Sequence, residues 1–252
     1  MELLSVPNVP EVREGDDLAA LVEARFDLAP EDVVVTASTV VSKAEGRGAD
    51  LADFPAGPRA REIAARLEDV TGDEKDPRFA QAVLEESTEL LMEAPFLLTE
   101  TRFGHVGVNA GIDRSNVPEH DLLLLPRRPT ESAQRIREGL EHENPVVVSD
   151  TSGRPFRHGQ TGVAIGYAGM PASRDYRGET DRDGHELAVT VQCVVDELAA
   201  AANLVSGEAD AGTPVTVVRD WAFGDLDGSD NLFRSVDGDF VREALRGWEY
   251  DG

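Results

Sequence analysis

The chain predicts an α+β fold, with mixed sheets and packed helices, and three observations carry that prediction. Several segments repeat apolar residues at helical spacing. Between them lie short β-branched runs, bounded by Pro, Gly and Asp, of the kind that fill buried strands. The apolar content, 40% of 252 residues, sits in these periodic runs, which sets the chain apart from a disordered one of high charge. This length suffices for one large or two small domains burying roughly 70% of their extended surface. We find neither an internal repeat nor a Pro/Gly/Ser linker. Residues 1–220 are therefore read as one domain, conceivable as two subdomains, and residues 221–252 as its acidic C-terminal extension.

In chain order, VPNVP at 6–10 is a rigid turn, and Asp16 or Asp17 caps a helix with Leu18, Leu21 and Val22 on its apolar face. Residues 33–35 form a strand. Two helices follow, one with Ile63, Ala64, Leu67 and Val70 inward, the other starting at Asp76-Pro77 and carrying Phe79, Val83, Leu84, Leu90 and Leu91. From Phe96 the period shortens to two, predicting a hairpin that turns near Phe103-Gly104. Residues 122–125 read as a strand covered on both faces. A helix begins at Pro129 or Thr130, with Ala133, Ile136 and Leu140 inward. Val146 to Val148 form a strand expected to end where Ser149 begins. Residues 159–169, rich in glycine, suit a strand in close contact with other backbone. Residues 187–205 read as the clearest helix, stopped at Ser206-Gly207, with Cys193 inside it as an inert small hydrophobe. A strand over 214–218 and a short helix over 240–245 complete the pattern.

Lys and Arg number 24 against 49 Asp and Glu, a net charge of −25. Such a charge repels nucleic acid and anionic membranes. Lysine occurs only at 43 and 75, whereas acids run the whole length. The expectation is a cytoplasmic protein adapted to high salt, where screening relieves the repulsion among its acids. Cys193, alone, excludes an internal disulfide. No apolar run approaches the length of a membrane span.

The chemistry gathers where strands stop. In PVVVSDTSGRPFR, Ser149, Asp150, Thr151 and Ser152 offer a carboxylate and three hydroxyls suited to a hard cation, and Arg154 and Arg157 suit carboxylate or phosphate oxygens. Lys43 stands among the hydroxyls of Ser38, Thr39 and Ser42 in a chain that otherwise avoids lysine, which favours ligand contact. A second polar cluster runs from Asn109 through Asp113 to Asn116. His105 has no His or Cys partner at metal-ligand spacing and reads as structural. Arg177, Glu179 and Asp181 lie in a charged loop able to close over a site. Glu208 and Asp210 offer a third acidic contribution. There is no phosphate loop ending in Lys and Ser/Thr, and no dinucleotide fingerprint.

The ordered motifs VPNVPEVREGDDL, TASTVVSKAEGR, ETRFGHVGVNAGIDRSNV, LLLLP, SDTSGRPFRHGQTGVAIG, DYRGE and VSGEADAGTPVTVVR closely resemble the coenzyme F420:L-glutamate ligase family. The resemblance runs from about Leu4 to about Arg219 and departs at Ser152, Phe156 and His158. It implies a mixed α+β fold pairing as an intertwined homodimer. It also implies divalent-metal ligation by Asp113, Asp150, Thr151 and Glu208, with two Mg or Mn ions, and a monovalent potassium ion. GTP contacts are implied at Val9, Pro10, Glu11, Val12, Ser38, Thr39, Lys43 and Asn116, and at Ser206, Gly207, Glu208, Ala209, Asp210, Ala211, Gly212 and Thr213. The implied reaction adds L-glutamate to the deazaflavin coenzyme F420-0, then extends it by γ-linkage, and releases GDP and phosphate.

The residues accord with that chemistry. Making an amide from a carboxylate requires its oxygen to become a leaving group, and transfer of the γ-phosphoryl of GTP achieves this as an acyl phosphate. Metal ions held by acids offset phosphate charge, and Lys43, Arg154 or Arg157 stabilise the charge that develops. A metal-dependent phosphohydrolase and a non-catalytic nucleotide or deazaflavin-binding protein would use the same side chains.

Overall fold

The computed structural model describes residues 1–115, 117–209, 211–224 and 227–248. The chain divides into two compact units, the first formed by Met1–Glu45 with Arg128–Leu232 and the second by Gly46–Arg127 with Phe233–Gly252. In the first unit come strand β1 (Glu2–Ser5), helix α1 (Leu18–Glu23), β2 (Val33–Ala37) and α2 (Ser38–Ala44). The second contributes β3 (Gly48–Ala49), α3 (Pro58–Thr71), α4 (Pro77–Glu86), β4 (Ser87–Met92), β5 (Leu98–Thr101), β6 (Val106–Val108) and β7 (Leu122–Leu123). The chain then returns to the first unit with α5 (Pro129–Gly139), β8 (Val146–Arg154), β9 (Arg157–Ala168), β10 (Ser173–Asp175) and β11 (Val191–Cys193). There follow α6 (Val194–Ser206), β12 (Val215–Arg219) and β13 (Gly228–Ser229), and α7 (Phe240–Arg246) lies in the second unit.

The first unit is organised on a five-stranded sheet of order β1-β12-β2-β8-β9, in which β2 and β8 run parallel and every other pair is antiparallel. Its central strands are valine-rich because both faces are covered; Val34, Val146, Val147, Val148, Val217 and Val218 are fully buried. Helix α6 packs Val194, Val195, Leu198, Ala199 and Ala202 on the face that carries Val33, Val35, Val147 and Ala164. Each of the valines and Leu198 contributes about 1.5–3 kcal/mol through burial.

Strand β9 accepts helices on both sides because it lacks side chains where they come closest. A Cβ on Gly162 would stand 2.5 Å from the Ala199 carbonyl oxygen of α6, and one on Gly166 would stand 2.3 Å from the Pro129 carbonyl carbon of α5. Two residues four apart on a regular strand face the same way. Here the register slips by one between the pairs Val148–Gly166 and Ser149–Ala164, leaving Ile165 as the extra residue of a β-bulge. The slip turns Gly162 toward α6 and Gly166 toward α5.

In the second unit α3 and α4 pack around Ala60, Ile63, Leu67, Ala80 and Val83, with Leu97 and Ala110 against them. Its three-stranded antiparallel sheet has the order β4-β5-β6, and β3 pairs with β7. Arg242 of α7, buried, donates to Glu100 at 3.0 Å.

Several element assignments differ from those read in the sequence. Strand β8 does not end at Val148; it continues through the polar residues to Arg154 because β9 pairs with it along its whole length. Leu90 and Leu91 belong to β4, since α4 stops at Glu86 and Ser87 adopts extended backbone. Helix α6 begins at Val194, and Val191 to Cys193 form β11 beside β10, so helical spacing upstream of Val194 is overridden by sheet pairing. Strand β1 carries no alternating pattern in its ELLS sequence and is held by pairing to β12. The α+β class, the hairpin of β5 and β6, the caps Asp17 and Asp76 and the stop at Gly207 stand as read.

Candidate active site

Parallel strands β2 and β8 lie side by side, with Ala37, the last residue of β2, opposite Ser149. The first residue of α2, Ser38, is buried and donates its hydroxyl to Asp150 Oδ1 at 2.9 Å. Asp150 therefore sits beside the carboxyl end of a parallel strand, the part of an open sheet where α/β proteins bind ligands. Thr151, the next residue, faces the opposite side by strand alternation. Its hydroxyl makes long hydrogen bonds of 3.3 and 3.4 Å to the two carboxylate oxygens of Glu208. Asn203 Nδ2 donates to Glu208 Oε1 at 2.6 Å.

The segment that carries Glu208 leaves α6 through Gly207, whose φ of 69° suits glycine. It is tied back by Thr213 Oγ1 donating to the Ser206 carbonyl at 3.3 Å and by a 3.2 Å contact between the Ser206 and Thr216 hydroxyls. The Ala37 N–H donates to the Pro214 carbonyl at 2.9 Å, which brings this segment next to the start of α2. Glu208, Ala209, Ala211 and Gly212 are exposed. Asp210 and Asn116 lie outside the described residues.

Lys43, in the last turn of α2, pairs with Glu11 Oε1 at 2.5 Å. This joins the residue 9–12 segment to α2, so two groups of expected GTP contacts meet: Glu11 and Val12 with Lys43, alongside Ser38 and Thr39. Val12 is buried and fixes the segment, whereas Glu11 and Pro10 are exposed and Val9 is half-buried. Arg154 and Arg157 face each other across the tip of the β8–β9 hairpin, both exposed. Arg154 is four residues beyond Asp150, roughly 13 Å along an extended strand.

Asp113 belongs to the second unit, where it bridges Leu123 in antiparallel fashion and its carboxylate accepts from the Ser115 N–H at 2.7 Å and from the Ser115 hydroxyl. It follows Asn109, Ala110 and Gly111, three consecutive residues at φ 54°, 56° and 66°. Only the glycine of that turn was legible as such. Left-handed Ala110 is held by burial and by its N–H donating to Thr99 Oγ1 at 3.0 Å.

At the far end of β2, Asp32 is 1% exposed and bound by Arg219 through bonds of 2.6 and 2.9 Å. Burial raises its pKa, but the hydrogen bonds from Arg219 and from the Ala29 N–H, with the guanidinium charge, outweigh burial and hold the carboxyl below its ordinary value. Burial, reinforced by Asp196, pushes the Cys193 thiol up to about 12, so it is inert as expected. His105 is buried, its N–H donating to Thr101 Oγ1 at 3.1 Å and its ring stacked on Phe103, in accord with a structural role. In the charged loop Arg177 pairs with Asp175, holding that carboxyl at about 2, and Asp181 accepts from the N–H groups of Asp183 and His185.

The donors around Asp150, Thr151 and Glu208 are carboxylate and hydroxyl oxygens, the chemistry of a hard divalent cation. Among the described residues no group of three or more His, Cys, Asp or Glu is gathered closely enough to hold a metal. A carboxylate beside a hydroxyl, as in Ser38–Asp150 and in Thr151–Glu208, fits magnesium-type ions, which keep water and share their coordination with substrate phosphates. Asn203, which sequence reasoning missed, has no helical-spacing signal, because Glu208 lies five residues on, past the Gly207 turn.

Fold and site together define a class: an α+β chain with carboxylate–hydroxyl contacts at the successive residues Asp150 and Thr151, beside the carboxyl end of a parallel strand, of a chemistry suited to cations and phosphorylated ligands. The profile of the family F420-0:gamma-glutamyl ligase matches residues 7–220. Coenzyme F420:L-glutamate ligase of Halorubrum lacusprofundi is 72% identical over 251 residues, covering 100% of both chains. The proteins of the same name from Archaeoglobus fulgidus and Methanosarcina mazei are 45% and 41% identical, covering 98% and 97% of this chain and 98% and 96% of theirs. The chain belongs to the F420-0:gamma-glutamyl ligase family and is a ligase. The reading as a non-catalytic binding protein is thereby set aside. Among the described residues no helix is long and apolar enough to cross a membrane.

Proposed function

We propose that this ligase forms an amide between L-glutamate and coenzyme F420-0, with GTP as phosphoryl donor, and then adds further glutamate through the γ-carboxyl. The observation that carries the reading is the pair of oxygen contacts, Ser38–Asp150 and Thr151–Glu208, at successive residues of β8 in a chain whose relatives bear the name of that reaction. A coenzyme carboxylate oxygen takes the γ-phosphoryl of GTP, and the bond to the β-phosphate oxygen breaks to leave GDP. The glutamate amine then attacks the acyl carbon, phosphate departs with the C–O electron pair, and the amine loses a proton.

Asp150, Thr151 and Glu208 would hold the divalent ions, Mg or Mn, with Asp113 taken from the family resemblance. Such ions, when bound, neutralise phosphate charge and align the transfer. Lys43, exchanging Glu11 for phosphate oxygens, binds GTP together with the residue 9–12 segment, Ser38, Thr39 and the residue 206–213 segment. Arg154 and Arg157 meet anionic groups of the substrates. A potassium ion, a homodimer and a salt-rich cytoplasm complete the proposal on the family resemblance and the −25 charge.

The test incubates purified protein with F420-0, glutamate, GTP and manganese in potassium chloride and reads products by mass spectrometry. Glutamyl adducts with GDP formed one for one support the reading. GTP hydrolysed equally fast without coenzyme or glutamate would instead establish the phosphohydrolase.

A further inference from the structure

We propose that Asn203 is a positioning residue: its side-chain amide holds the Glu208 carboxylate against Thr151, in the geometry that receives the divalent cation. The inference rests on the cation-binding reading of Glu208 given above.

Four elements converge to make this contact. Thr151 of β8 lies opposite Gly162 of β9, so both face α6. Gly162 has no side chain, and its missing Cβ would lie 2.5 Å from the Ala199 carbonyl oxygen and 3.1 Å from Asn203 Cβ. The helix can therefore settle directly on the strand, with Asn203 across from Thr151. After Asn203 the helix runs three more residues to Ser206; Gly207 donates its N–H to the Asn203 carbonyl at 2.9 Å and reverses the chain. That reversal returns Glu208 to the residue whose carbonyl has just been capped. Glu208 Oε1 receives Asn203 Nδ2 at 2.6 Å, while Thr151 Oγ1 is shared between both carboxylate oxygens at 3.3 and 3.4 Å.

An exposed glutamate on a loop samples several rotamers, and ordering one costs side-chain entropy. The amide donor meets much of that cost in advance. Among the described residues, Glu208 Oε2 then has only the long Thr151 bond, and is available to a cation. A neutral amide suits this task better than a cation would, because it orients the carboxylate without neutralising the charge that the metal requires.

The experiment measures Mn(II) binding to the full-length protein by electron paramagnetic resonance, with no nucleotide present, and turnover as a function of Mn(II). Asn203→Ala should weaken Mn(II) binding about tenfold and raise the Mn(II) concentration for half-maximal turnover equally, with kcat at saturating metal nearly kept. The near-isosteric Asn203→Leu, which keeps the bulk and removes the donor, should weaken binding to a similar extent and carries the test if the alanine variant fails to fold. A residue that merely packs α6 would lower Tm and leave Mn(II) affinity of the folded protein unmoved. Wild-type affinity in both variants overturns the proposal. Glu208→Gln separates the causes. If it weakens Mn(II) binding while the Asn203 variants do not, positioning alone is wrong; if it too binds as wild type, the cation reading of Glu208 falls and takes this inference with it.

Discussion

The two ends of strand β2 put the same kinds of group to opposite uses. Before Val33 stands Asp32, buried and saturated by Arg219 and the Ala29 N–H. After Ala37 stands Ser38, turned toward Asp150, with the Lys43–Glu11 pair on the helix that follows. At the first end the carboxylate is enclosed, and removing Arg219 strands Asp32 in a dry place. At the second, Glu11 is 62% exposed, so a ligand can replace it. Five residues of buried valine-rich strand hold the two ends apart. The difference teaches that an ion pair's role here follows from its burial and from how fully its oxygens are occupied.

The largest effect that would test this contrast is on chemistry. Asp150→Asn keeps shape and removes the charge, and turnover of GTP with coenzyme and glutamate should fall about a hundredfold or more while Tm changes little. Near-normal kcat would break the comparison at the catalytic end. Next comes Arg219→Met, which leaves Asp32 buried without its guanidinium and should cost about 3 kcal/mol of stability in urea melts, with kcat of the folded protein kept. Its pH dependence sharpens the point. A carboxyl whose folded pKa is lowered contributes stability in full above its unfolded value near 3.9, and loses it as pH falls through the folded value. Wild type should therefore show an acid-dependent loss below about pH 4 that Asp32→Asn lacks, read as the difference between their urea midpoints.

A smaller effect is expected at Lys43. Lys43→Met retains the stem and breaks a partly exposed pair, so stability should shift by about 0.5 kcal/mol or less. GTP affinity, measured by calorimetry, should weaken about tenfold. A variant that binds GTP like wild type would leave the Lys43–Glu11 pair purely structural. The smallest effect per added ion is general: Tm should climb as potassium chloride rises into the molar range, because screening relieves repulsion among the 49 acids. A flat profile would mean that local pairs such as Arg59–Glu93 and Arg135–Glu45 already offset the charge.

How much of this was legible depended on the range of the interaction. Caps, valine runs and the Gly207 stop are local, and Asp17, Asp76, Val146 and Gly207 were readable because one residue sets one backbone state. Asp150, Thr151 and Lys43 stood out by composition against their surroundings. The course of β8 past Val148 was not legible, because these polar residues continue the strand only by pairing with β9, at separations of 3 to 15 residues. The same holds for Leu90 and Val191, whose helical spacing yields to sheet neighbours. Asp32–Arg219 spans 187 residues of chain, and Asn203–Glu208 depends on a reversal that spacing rules do not encode.

The bulge at Ile165 gives β9 a property that substitution tables miss: it is read by counting. Because the extra residue sets the phase of everything beyond it, inserting one residue between Gly162 and Gly166 with the single bulge kept would send both glycines to the same side of the sheet, whereas loss of Ile165 alone would leave three regular steps and keep them on opposite sides. One helix would then meet a side chain where it now meets bare backbone, and Thr151 would lose the glycine opposite it. Insertions in relatives should therefore avoid the interval between those two glycines and be tolerated at the hairpin tip at Pro155-Phe156.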